Sequence, residues 1–179
     1  MNKQEIASQS KMWIIESFFD LLHIKSFADI SISEIAENAD LDRRTFYRHY
    51  KSKEDVLSCF IHEIAKQYEQ TMQEKMTFDN HSIAHTFFSI CEKNKDILLL
   101  FYREKLLHLL LNDLHMLFFK YQSRFASLEE LNNKNRQFFL AYHIGGFWNV
   151  LAMWLEGNCQ QSVTQLSEIV AQIFETKQI

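Results

Sequence analysis

The chain contains no proline and only three glycines among 179 residues. That scarcity argues against a turn-rich sandwich and against glycine-rich phosphate loops, and for helices joined by short polar links. Cysteine is also scarce: Cys59, Cys91 and Cys159 are odd in number, far apart and without CxxC spacing, which excludes a disulfide framework or zinc finger and suits reduced thiols. There is no nucleophile elbow, HExxH, GxGxxG or phosphate-loop motif, so neither an enzyme nor a cofactor is expected. The first residues, MNKQEIASQSK, lack the apolar core of a signal peptide, and a cytoplasmic location is expected. What is present is apolar content of 47%, enough for a sizeable core, under a net charge of −4. The fold class expected is all-α, with one or two domains.

The richest stretch runs from Ser31 to Leu57. Ser31 and Glu34 have capping-box spacing, which starts a helix near Ile32. Ile35, Ala36 and Ala39 then form a narrow apolar seam that a second helix can approach closely. Residues 38–42 tolerate turn geometry, and Asp42 is placed to cap a further helix from Arg43 to about Tyr50. Two helices joined by about four residues follow the helix-turn-helix plan. On the second of them, Arg43, Arg44, Tyr47, Arg48 and Lys51 share one arc at 100° per residue, while Phe46 and Tyr50 lie opposite. From Arg43 to Lys53 there are five Lys or Arg and no Asp or Glu. Such a basic run is ordinarily a solvated face. Combined with a capped preceding helix, a short turn and interleaved aromatics, it suits double-stranded DNA, because each cation placed at a phosphate releases counterions.

Ser31, Ile35, Ala36, Ala39, Leu41, Thr45, Tyr47, His49, Tyr50, Lys53 and Leu57 stand where the DNA-binding domain of the tetracycline-repressor (TetR) family has its signature, and this part of the chain resembles that domain. Two positions depart from the pattern: Asp40 replaces the usual turn glycine and Arg44 a commonly small residue. Asp tolerates positive φ, so the turn is expected to survive. The resemblance implies a helix-turn-helix domain over residues 1–52 and a helical regulatory and dimerisation domain over 53–179. It also implies a dimeric regulator, most often a repressor released by a small molecule, acting on a palindromic operator. The resemblance further implies that Ser31, Tyr47, His49 and Lys53 hold phosphates. Arg43, Arg44 and Thr45, in the first turn of the recognition helix, are the candidates for base edges, with Arg48 and Lys51 completing the DNA-binding set.

Elsewhere the spacing predicts a first helix of about eighteen residues ending near Lys25, a fourth helix capped by Ser52, and a break from Phe78 to Ser82. A fifth helix begins at Asn80, and Ile97–Tyr102 and Leu106–Phe119 form central helices. His81 and His85 have metal-ligand spacing but no matching Cys, Asp or Glu, so no metal is expected. Phe101, Tyr102, His108, His115, Tyr142 and Trp148 are the expected lining of an effector cavity, since they combine apolar area with polar tips. The nineteen residues Gln137–Leu155 carry no charge and could span a bilayer, but Gln137, His143, Asn149 and the Gly145–Gly146 pair speak for a soluble helix covered on both sides. With the amphipathic helix from Ser162 to Thr176, this helix resembles the family's dimer interface, expected at Phe139, Gly145, Gly146, Trp148, Leu151, Leu166 and Val170. The stretch GFWNVLAMWLEGN is similar to a subgroup that includes regulators associated with dihydroxyacetone kinase genes. That subgroup opens a second control, a protein partner in place of a small ligand.

Overall fold

The computed structural model describes residues 3–73, 79–121 and 133–175, and Phe78 and Thr176 lie outside them. Among the described residues the regular structure is helical throughout: α1 Lys3–Ile24, α2 Ile32–Asn38, α3 Arg43–His49, α4 Lys53–Gln73, α5 Asn80–Lys93, α6 Lys95–Arg103, α7 His108–Tyr121, α8 Asn133–Glu156 and α9 Val163–Glu175. The chain divides into two compact units, Met1–His62 and Glu63–Ile179.

In the first unit α1 packs on both α2 and α3. Its 22 residues extend further than the apolar spacing predicted, because the polar first turns also form helix. Ile14, Phe18 and Leu22 are fully buried, together with Ile35, Phe46, Val56 and Leu57. Phe27 stacks edge-on against Phe18 at 6.1 Å, plugging this core from the α1–α2 connection. Two serines one heptad apart on α1, Ser10 and Ser17, are buried among these apolar groups. Ser17 Oγ donates to the Ile35 carbonyl at 2.7 Å and accepts from Asn38 Nδ2 at 3.1 Å, tying α1 to α2. Ser10 ties α1 to α3 through His49. Each buried hydroxyl thus fixes the position of a neighbouring helix while satisfying its own need for a partner.

In the second unit α5 packs most extensively on α9, and α8 receives α6 and α7. The cap of α5 is Asp79, whose carboxylate accepts from the Ser82 N–H at 2.7 Å; Asn80, expected to begin the helix, is its first residue. Ser162 and Gln165 form a reciprocal box at the start of α9. Phe87 meets Phe147 at 5.2 Å and Phe88 meets Trp154 at 6.4 Å, all edge-on. The Trp154 indole N–H donates to the Gln161 carbonyl at 2.9 Å, so this large ring is buried without an orphan donor.

His143 of α8 packs on Phe139, ring centroids 3.8 Å apart, and burial holds its imidazole down to about 4. As pH falls below the ordinary 6.5 the unfolded chain takes up this proton first, so stability is complete above that pH and is lost progressively towards 4. Urea midpoints at pH 7.5 and pH 5.5, a window above most carboxylate titration, are expected to differ less in His143→Gln than in the parent. An unchanged difference would remove His143 from the acid response.

Candidate nucleic-acid interface

The helix-turn-helix is built by local chemistry at each junction. Ser31 Oγ accepts from the Glu34 N–H at 3.3 Å, and the Glu34 carboxylate accepts from the Ser31 N–H at 2.9 Å, forming the capping box of α2. Lys25 pairs with the same carboxylate, and with the Ser31 contacts it brings Glu34 down to about 2. Helix α2 ends with the Leu41 N–H on the Ala36 carbonyl and the Asp40 N–H on that of Glu37, a Schellman closure that needs a left-handed residue between helix and exit. Asp40 supplies it at φ 53°. The turn is therefore retained without glycine, by one of the few L-residues that enter this region at modest cost. Asp42 then caps α3, accepting from the Thr45 N–H at 2.6 Å, and this bond lowers the pKa of its carboxyl.

Helix α3 has two faces. Phe46 is fully buried and Tyr50, its C-cap, nearly so, while Arg43, Arg44, Tyr47, Arg48 and Lys51 are exposed and Thr45 and His49 are half-buried. The Arg43 guanidinium lies 5.9 Å from the Tyr47 ring centre, with Nη2 3.4 Å from the phenol oxygen. Arg43 is thus steadied along the helix. The Arg44 and Arg48 side chains border an open recess of about 660 Å³ together with Asp42, Thr45 and Tyr47. Of the cationic arc read from the sequence, Arg43, Arg44, Tyr47 and Arg48 stand exposed on α3, while Lys51 lies past its extended C-cap, Tyr50. Asp42, noted from sequence only as a cap, also lines the recess.

Two residues expected at phosphates are otherwise engaged. His49 Nε2 lies 2.8 Å from Ser10 Oγ, and that hydroxyl donates to the Ala7 carbonyl at 3.1 Å. The chain of bonds is consistent when Nε2 carries the proton and Ser10 Oγ accepts it. Burial lowers the pKa of this imidazole, with Arg48 and Lys11 adding to the effect. Lys53 Nζ donates to the carbonyls of Phe27, Ala28 and Ile30 at 2.5, 3.1 and 2.8 Å, above the Phe27 ring at 4.6 Å. An ammonium has three donors, and in this structure all three are directed to the α1–α2 connection. Helical spacing could not reveal these partners, which lie more than twenty residues away. Lys53→Met, which keeps the stem and removes the donors, is expected to cost about 1–3 kcal/mol of stability and to leave the salt dependence of DNA binding unchanged. A slope flattened by about two units, roughly 0.9 for each copy of a dimer, would return Lys53 to the phosphates.

The other expected sites lie in the second unit. Of the effector set, Phe101 is fully buried and Tyr102 and Trp148 half-buried, but His108, His115 and Tyr142 are exposed rather than core-facing; His108 Nδ1 lies 3.0 Å from the Lys105 carbonyl. Of the dimer set, Leu151, Leu166 and Val170 are only 2%, 4% and 4% exposed, so they belong to the core of the single chain. Phe139, Gly145 and Trp148 are half-buried and Gly146 is exposed. The open face of α8 instead carries Phe138, Tyr142 and Met153, 71%, 62% and 71% exposed, and α9 adds Ile169 and Ile173. Those three α8 residues fall within 60° of arc at 100° per residue, with Asn149 between them. A Cβ at Gly145 or Gly146 would meet nothing within 4 Å of this chain. Helix α8 has the length and apolarity to cross a membrane, and its opposite arc, Leu140, Ile144, Phe147, Leu151 and Trp154, is buried. His81 and His85 stack with centroids 6.0 Å apart, and no group of three metal-ligating side chains occurs among the described residues.

Residues 14–58 match the model of bacterial regulatory proteins of the tetR family, and residues 79–176, more than half of the chain, match a transcriptional regulator C-terminal region. A curated relative, the HTH-type transcriptional regulator EthR of Mycobacterium tuberculosis, is 33% identical over 60 residues, covering 34% of this chain and 28% of that one. EthR of Mycolicibacterium smegmatis is 43% identical over 47 residues, 26% of this chain and 22% of that one. The matched stretch thus spans less than a third of these relatives' own length. Among solved structures, Lin0861 from Listeria innocua superposes with a TM-score of 0.72 at 16% identity, over 99% of this chain and 94% of that one. The dihydroxyacetone kinase operon activator DhaS gives 0.62 at 16%, over 92% of each chain. The fatty acid degradation regulator FadR from Bacillus halodurans gives 0.64 at 19%, over 92% and 93%. At these identities the likeness is one of fold.

Proposed function

The chain belongs to the tetR family of bacterial regulatory proteins, and from that premise we propose that it is a cytoplasmic, two-fold dimeric repressor that binds a palindromic operator through α3. The observation that carries this is the exposed cationic face of α3, held outward by buried Phe46 and Tyr50 in a chain that is net negative. Arg43, Arg44 and Thr45 read base edges from the first turn, while Ser31, Tyr47, Arg48 and Lys51 hold the backbone on either side. One seven-residue helix touches few base pairs, so a second copy related by two-fold symmetry is needed to reach operator affinity. The apolar stripe of Phe138, Tyr142 and Met153 on α8, with Ile169 and Ile173 of α9, is the surface we assign to that copy. Large apolar side chains left exposed on the two last helices are what an interaction surface would present.

Control is assigned to a small molecule held in the second unit near Phe101, Tyr102 and Trp148. Such an effector releases DNA only by binding the DNA-incompetent arrangement more tightly, commonly with a coupling of about 1–3 kcal/mol. The exposure of His108 and His115 favours a second reading, in which a protein partner docks on the body. Selection of bound sequences from random duplex DNA tests the proposal: an inverted repeat should be enriched, and a selection that converges on no sequence would sink it.

A further inference from the structure

The cationic surface of α3 does not stop at the end of that helix. Helix α1 passes the C-terminal end of α3 at the Ser10–His49 contact, and the next residue on α1, Lys11, is exposed. Its Nζ lies 6.0 Å from the centre of the Tyr50 ring, at the outer limit of cation–π contact, so the ammonium is held beside α3. The residues one turn away from it on α1 are Ala7, Ser8, Ile14 and Ile15. None is acidic, so no carboxylate on its own helix neutralises it. Lys11 and Arg48 both act electrostatically on His49 from their two helices. Around His49, then, a cation from α1 and one from α3 stand together at an edge of the recognition helix.

We infer that Lys11 is a DNA-phosphate-binding residue, extending the interface from α3 onto α1. The inference rests on the DNA-binding reading above. A phosphate is the fitting ligand because a compact, mobile ammonium on a four-carbon stem recognises charge rather than base pattern. Its contribution is independent of sequence and appears in the salt dependence, since each neutralised phosphate adds about 0.9 to the slope of log K against log salt on duplex DNA.

The test is a salt titration of the full chain on two duplexes, the selected operator and a random sequence of the same length. Lys11→Gln is expected to lower the slope by about 1.8 on both duplexes, about 0.9 for each copy of the dimer, and Lys11→Arg to restore it. The slope, unlike the affinity, does not depend on a small change in the folded fraction, so it decides even if the substitution costs stability. A slope equal to that of the parent overturns the inference. Arg48→Gln serves as the control for the wider reading: if it flattens the slope while Lys11→Gln does not, only the role of Lys11 falls. If the parent chain binds neither duplex, the DNA-binding reading fails and this inference fails with it.

Discussion

Replacing Tyr142 and Met153 together by glutamate is expected to convert the protein to a folded monomer and to weaken operator binding by about 10²–10⁴-fold, the usual advantage of linking two binding modules. Both side chains are more than 60% exposed, so the single chain loses little packing and its thermal transition should move only slightly. At a two-fold interface each carboxylate would face its own copy or apolar area, and a charge buried there without a partner is strongly disfavoured. Affinity for random duplex, held by phosphate contacts, should fall much less. Leu151, Leu166 and Val170 are poor probes of the same surface, because truncating them excavates the core of the single chain. A double variant that still sediments as a dimer would remove this face from the interface.

Arg44→Ala is expected to cost about 1–3 kcal/mol on the selected operator and to relax preference at one base position, with little change on random DNA. Arg43 and Arg44 are neighbours with different freedom. Arg43 is braced against Tyr47, which sets its direction along the helix, whereas Arg44 projects at the rim of the recess beside Thr45 and Arg48. A guanidinium so placed can present the two parallel donors that match guanine O6 and N7. Arg44 also departs from the small residue common in the family pattern, so its contact would distinguish this operator from those of relatives. Equal losses on operator and random duplex would assign Arg44 to the phosphates instead.

Local signals in the sequence were enough to place most of the recognition unit. Ser31 with Glu34 and Asp42 with Thr45 are contacts between residues three apart, and spacing alone locates them. The buried positions of Phe46 and Tyr50 follow from helical phase. What spacing could not show was the partner of a long polar side chain. Lys53 reaches back to residues 27–30, and His49 to Ser10, across distances that no periodicity encodes. The heptad pair Ser10 and Ser17 was the available hint, two small polar residues on an otherwise apolar face. In the second unit, α8 is apolar nearly all round, so its sequence could not tell which arc is core. Packing of the other helices on one side decides it, placing Leu151 inward and Met153 outward.

The most direct test of the central claim, that two copies of this chain read an inverted repeat through paired α3 helices, is the stoichiometry on labelled operator duplex. Sedimentation of the complex together with a footprint at base resolution would give it. Two chains per inverted repeat, protecting two major-groove segments about one helical turn apart, is the predicted result. One chain bound at full affinity, or protection indifferent to the repeat, would contradict it.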